Sequence, residues 1–211
     1  MPASEVDALI EKTLNGDREA LSELLDRYRP RLRAMVNFRM DPRVRKRVDP
    51  SDILQESFIE LARKLPTAKL PQDPSSFFVW IRGITMDRLL VAHRRHLAAK
   101  VRDARKELSI DQKFGGDATS MCLAAGLLGK ETSILGKIVR REQKQLVISL
   151  LEQMDGIERE VIALRTFEGL SNSEVAQILN LTKQKASRIF IRGLERLRAS
   201  MQSIPGLAEQ I

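Results

Sequence analysis

Residues 170–197, LSNSEVAQILNLTKQKASRIFIRGLERL, admit little besides two helices joined by a tight turn. Ser171 is a helix-capping residue, and Glu174 three places on completes a capping box. Asn180 ends the first helix where the chain must turn left-handed, a conformation Asn tolerates better than most residues. Thr182 then caps the second helix. Val175, Ile178, Leu179, Leu181, Ala186, Ile189 and Phe190 fall inward on this reading, and Ala176 is small enough to let two helices approach. Lys183, Gln184, Lys185, Ser187, Arg188 and Arg192 fall outward. Long polar donors at the start of the second helix suit base edges, and cations further along suit phosphates. The pair therefore predicts a DNA-binding helix-turn-helix, with an ordinary helical hairpin bearing a solvated basic face as the bland alternative.

The rest of the chain reads as helical too. Of 211 residues 43% are hydrophobic but only 4% aromatic, and the formal net charge is +8. Such a composition suits an all-α protein with a polyanionic partner. Ser4 and Asp7 start a short helix with Val6, Leu9, Ile10 and Leu14 on one face. After NGD, Asp17 caps a second helix carrying Leu21, Leu24, Leu25, Tyr28, Leu32, Met35 and Val36 at spacings of three and four. Its end and the following turn, RYRPRLRAMVNFRMDPRVRKRV, are strongly basic. Pro50 or Ser51 opens the next helix, Asp52 adds charge to its first turn, and Pro66 stops it. Ile53, Leu54, Phe58, Leu61 and Leu65 form its apolar side. A proline-containing loop precedes a long helix from Phe77 to Leu108. Between Ser109 and Ile138 periodicity fades, which predicts a linker whose Leu, Met and Ile content favours docking. Two small helical domains, 1–108 and 139–211, joined by linker 109–138, result.

Other function classes fit poorly. The single Cys122 excludes an intramolecular disulfide and suits a reducing cytoplasm. No stretch approaches eighteen apolar residues, so no membrane span is expected. His93 and His96 stand three apart with Asp87 nearby, yet Arg94 and Arg95 lie between them and no carboxylate pair completes a metal site. With no phosphate-binding glycine loop or nucleophile motif, neither an enzyme nor a cofactor is expected.

One helix does not suit a DNA-binding face. DILQESFIELARKL presents Asp52, Gln55, Glu56 and Glu60 outward, where phosphate would be repelled and a basic protein surface attracted. The spacing D-x-x-Q-E-x-F, set by Asp52, Gln55, Glu56 and Phe58, resembles the polymerase-binding helix in the second conserved region of bacterial sigma factors. Upstream, GDREALSELLDRYRPRL resembles the start of that region. Downstream, FFVWIRGI is similar to F-x-x-W-[LI]-x-x-I of the promoter-melting segment, with Phe77, Trp80, Ile81 and Ile84 in the matching places. LSNSEVAQILNLT fits L-S-x-x-E-[VI]-A-x-[IL]-L of the fourth region. The short linker makes the chain similar to the extracytoplasmic-function (ECF) group. HRRHL, ALRTFEGLSNSEVA and IRGLERL resemble its planctomycete-type members. The resemblance covers most of 15–105 and 140–200.

The resemblance implies a region-two-like bundle, a region-four-like helix-turn-helix domain and a division of labour between them. Asp52, Gln55, Glu56, Phe58 and Ile59 would dock on the clamp coiled coil of core RNA polymerase, with its flap as a further contact. The loop Pro66–Ser76 and the helix after it would hold single-stranded minus-ten DNA through Phe77, Trp80, Arg82, Asp87, Arg88, Arg94 and Arg95. Asp87 departs from the Asn common in the family. Ser171, Thr182, Lys183, Gln184, Lys185, Ser187, Arg188 and Arg192 would grip the minus-thirty-five duplex. An anti-sigma protein is a further implied partner. A free-standing helix-turn-helix regulator is the alternative.

Overall fold

The computed structural model describes residues 3–66, 71, 73–97, 116–128 and 134–202, and all their regular structure is helical. The chain divides into two compact units, Met1–Ile110 and Asp111–Ile211.

The first unit contains α1 (Ala3–Leu14), α2 (Arg18–Arg39), the short α3 (Pro42–Arg45), α4 (Pro50–Lys64) and α5 (Pro74–Leu97). Asp17 caps α2 through the backbone N–H groups of Glu19 and Ala20, and Gly16 before it takes φ 90°, which a side chain would resist. Asp41 starts α3, with Pro42 in the first turn, where its missing N–H costs nothing. Helix α4 opens at Pro50, as expected, and its cap is Asp49. Its carboxylate accepts from Ser51 N–H at 2.7 Å, while Asp52 reaches back to Asp49 N–H at 3.2 Å.

Helix α5 has no single apolar stripe, because it meets several neighbours along its length. It packs against α1, α2, α3 and α4, and Phe77, Phe78, Ile81, Ile84, Met86 and Leu89 are buried within them. Leu24, Leu32, Met35 and Val36 of α2 and Ile53, Leu54 and Leu61 of α4 complete this core. Each such aliphatic side chain contributes about 1.5–3 kcal/mol on burial. Tyr28 joins the layers: its ring lies 5.2 Å from that of Phe78 and its hydroxyl donates to Pro74 O at 3.3 Å.

The second unit contains α6 (Gly116–Leu128), α7 (Ile134–Glu152), α8 (Gly156–Ile162), a π-helical turn (Ala163–Phe167), α9 (Asn172–Ile178) and α10 (Lys183–Gln202). Segment 109–138 is therefore not a linker throughout. Its middle is a helix that buries Leu123, Ala124 and Leu128 and packs on α7, α8 and the π turn. Thr119 Oγ1 donates to the buried Glu160 at 2.9 Å. Gly126 allows the closest approach: a Cβ there would stand 2.9 Å from both Cδ1 and Cζ of Phe167. In the π turn Glu168 N–H reaches back five residues to Ala163 O at 3.2 Å. At Gly193 a Cβ would meet Ile162 Cδ1 at 3.2 Å, so glycine lets α10 settle close on α8.

Candidate nucleic-acid and partner interfaces

The turn between α9 and α10 follows from its caps. Ser171 Oγ accepts from Glu174 N–H at 3.2 Å, and Glu174 Oε2 accepts from Ser171 N–H at 2.7 Å. Asn180 adopts φ 52°, and Leu181 N–H closes the helix end on Ala176 O at 2.8 Å. Thr182 Oγ1 then accepts from Lys185 N–H at 3.1 Å and starts α10. Val175, Ala176, Ala186 and Ile189 are buried, whereas Ile178, Leu179, Leu181 and Phe190 are half-buried. Lys183, Gln184, Lys185 and Arg188 are exposed and Ser187 is half-exposed. The predicted recognition surface thus stands at the start of α10. Ser171 and Thr182 are exposed residues whose side chains cap helices.

Arg192 is exposed, as expected, and is also ion-paired. Its Nε donates to Glu158 Oε1 at 2.8 Å, and Arg196 Nη1 donates to Glu158 Oε2 at 3.0 Å. Glu158 is 0% exposed, so its charge is answered by two guanidinium groups one turn apart on α10. Arg192 is held toward α8. Nothing in local spacing marks Glu158, because its partners lie more than thirty residues away.

On α4 most of the expected outward face is exposed, Glu60 excepted. Asp52, Gln55, Glu56 and Ile59 are all exposed, and Ile59 keeps 64% of its surface in solvent. Their spacing of three and four puts them on one face. Phe58 lies beside that face, half-buried, with the Arg29 guanidinium 5.1 Å from its ring centre. Glu60 is half-buried and paired with Arg63 and Lys64.

The α5 residues separate into two groups. Phe77 is 0% exposed and Arg82 is 2% exposed, so neither offers a face to a base or phosphate. Both were expected at the DNA surface, but they lie on the faces of α5 that pack against its neighbouring helices and are drawn into the core. Trp80 is half-exposed, and its ring meets Phe77 edge-on at 5.8 Å. Asp87 and Arg88 are half-exposed; Arg88 Nε is buried without a hydrogen-bond partner among the described residues. Arg94 and Arg95 are exposed. Part of the loop Pro66–Ser76 lies outside the described residues.

His93 plays a structural part. Its Nε2 accepts from Asp41 N–H at 3.2 Å, pinning α3 to α5. Burial holds the imidazole below its ordinary pKa of 6.5; Asp41 opposes that shift and Arg43 adds to it. Asp41 itself is lowered, chiefly by its hydrogen bond with the Arg43 side chain. Among the described residues no group of three His, Cys, Asp or Glu is placed to hold a metal ion. No described helix is long and apolar enough to cross a membrane.

Comparison with known proteins identifies the family of the whole chain. The family model for the ECF sigma factor matches residues 3–203. The ECF RNA polymerase sigma-E factor of Haemophilus influenzae is 25% identical over 198 residues, spanning 93% of this chain and 95% of that protein. The protein of the same name from Salmonella typhimurium is 27% identical over 186 residues, spanning 86% and 87%. Among solved structures, CnrH in complex with the cytosolic domain of CnrY is similar with a TM-score of 0.50. It is 21% identical, over 92% of this chain and 94% of that one. At that identity the likeness shows the fold alone.

Proposed function

Because the chain belongs to the ECF sigma factor family, we propose that it binds core RNA polymerase through α4 and directs promoter-specific transcription initiation through α5 and α10. The observation that carries this reading is the α4 stripe. Ile59 is left bare between Asp52, Gln55 and Glu56 in a chain of net charge +8. An exposed aliphatic residue flanked by acids fits a partner surface that is apolar at its centre and basic at its rim. The clamp coiled coil of the polymerase is the partner assigned to it, with the flap meeting the second unit.

Trp80 is the base-stacking platform of the minus-ten surface, and Arg88, Arg94 and Arg95 supply charge to the displaced strand. Stacking of a base on an aromatic ring contributes about 1–3 kcal/mol and offsets the cost of unstacking it from the duplex. Asp87 keeps phosphate away from its own position. Lys183, Gln184, Lys185, Ser187 and Arg188 read and grip the minus-thirty-five duplex. CnrH was solved with CnrY bound. An anti-sigma protein covering the α4 stripe and α10 is assigned here by the same logic. The chain acts in the cytoplasm as a regulatory subunit, not as an enzyme.

Pull-down with core polymerase, followed by run-off transcription on a promoter library, tests the reading. Wild type is expected to bind and to give discrete transcripts, and Ile59→Arg or Glu56→Arg to lose both. Binding unaffected by either change would remove α4 from the interface. Promoter binding without any polymerase binding would make the chain a free-standing regulator.

A further inference from the structure

Arg43, Arg45, Lys46 and Arg47 take four of the five positions from 43 to 47, and the other, Val44, is 0% exposed. All four cations are exposed. Arg43 is paired with Asp41 at 2.8 Å, and Arg45 donates to the carbonyl of Asn37. Lys46 and Arg47 have no acidic partner among the described residues. The turn is also held from below, since Asp41 N–H is fixed on His93 of α5. The residue after His93, Arg94, is exposed at the same end of α5.

A merely solvated run of charge needs no such anchoring. Val44 and His93 fix the backbone, so the cations project from a rigid platform rather than from a mobile tail. We infer that the α3 turn, through Arg45, Lys46 and Arg47, is a sequence-independent binding site for the phosphate backbone of duplex DNA. It is separate from the base-reading surfaces on α5 and α10.

Three features choose duplex phosphate over other anions. The stretch Arg43–Arg47 has no aromatic residue, so it has no platform on which to stack an unpaired base. None of the exposed large hydrophobic residues lies on this turn, and a membrane-surface site would need an apolar face beside the cations. Consecutive cations on a tight turn suit a regular row of phosphates, which positions the DNA without reading it. Acidic protein surfaces remain the competing class, and the experiment separates them.

The inference rests on the promoter-binding reading above, so the polymerase holoenzyme is the right material. The triple variant Arg45→Gln/Lys46→Gln/Arg47→Gln is compared with wild type and with the charge-preserving Arg45→Lys/Arg47→Lys. Binding is measured against salt with two probes, a duplex promoter fragment and a single-stranded minus-ten oligonucleotide. Each neutralised phosphate adds about 0.9 to the salt slope on duplex DNA. Removing three contacts should flatten the slope by about 2.7, so a fourfold rise in salt costs wild type about 40-fold more affinity than it costs the variant. The loss should be equal across unrelated duplex sequences, absent on the single strand, and restored by the lysine variant. An unchanged slope on duplex DNA overturns the inference, as does loss of core-polymerase binding in the triple variant, which would make the site a protein contact. Wild type failing to bind core polymerase at all would instead sink the functional reading itself.

Discussion

Glu158→Ala offers the sharpest test of how the second unit holds its recognition helix. The change removes two charge-assisted hydrogen bonds to Arg192 and Arg196. For fully buried groups such bonds contribute about 1.5–3 kcal/mol each. Here the arginine side chains keep 63% and 52% of their surface in water. Screening therefore lowers the figure, and the freed guanidinium groups turn to solvent rather than being stranded. We expect a loss of about 2 kcal/mol, including the small void left between α8 and α10. The assay is urea unfolding followed by two signals. Trp80 is the only tryptophan and lies in the first unit, so its fluorescence reports that unit, while far-UV circular dichroism reports both. The circular dichroism transition should move to lower urea while the fluorescence transition stays put. Adding Arg192→Ala and Arg196→Ala to Glu158→Ala should cost nearly nothing more. A loss below about 0.5 kcal/mol, or full additivity of the three changes, would refute the clamp.

At Gly126, alanine would normally favour a helix interior by about 0.5–1 kcal/mol, but here the new Cβ collides with the Phe167 ring. Gly126→Ala should therefore destabilise the second unit by about 1–3 kcal/mol, and in a Phe167→Ala background the same change should become stabilising. Failure of that sign reversal in thermal unfolding would show that the ring yields freely. The third expectation concerns pH. Burial lowers His93 in the folded state, so the unfolded chain binds more protons below pH 6.5, and stability falls as pH falls through that value. Asp41 and Arg43 are the charged groups facing it. His93→Gln accepts the same N–H without titrating, and its first unit, followed by Trp80 fluorescence, should lose less stability on acidification. Parallel pH profiles would discount the imidazole.

Caps and stripes were legible in the sequence because they are local. Ser171, Glu174, Asn180 and Thr182 each act on a neighbour within a few residues, and the α4 stripe follows from helical spacing alone. Enclosure was not legible. The α5 helix mixes apolar and polar residues with no one-sided stripe, so periodicity could not tell that Phe77 and Arg82 face inward while Trp80 reaches the surface. Helix α6 escaped for a similar reason. Its small and apolar residues show no one-sided stripe, and its burial depends on a glycine meeting a ring forty residues away. The pairing of Arg192 with Glu158 was not legible because the two are distant in sequence. The start of α4 at Pro50 was legible from the proline itself, whereas the cap beside it, Asp49, was not singled out.

The π turn before α9 carries a consequence for how this chain tolerates change. A π turn is one extra residue accommodated within a helix. Residues 163–167 thus act as a register spacer between the α8 platform and the α9–α10 pair. Deleting one residue there, such as the exposed Thr166, restores regular helix and rotates everything after it by about 100°. The recognition face of α10 would then be turned away while each helix kept its own caps and composition. Because α10 is seated on α8 through Gly193 and the Glu158 pairs, an insertion or deletion in this five-residue stretch sets helix register against that packing.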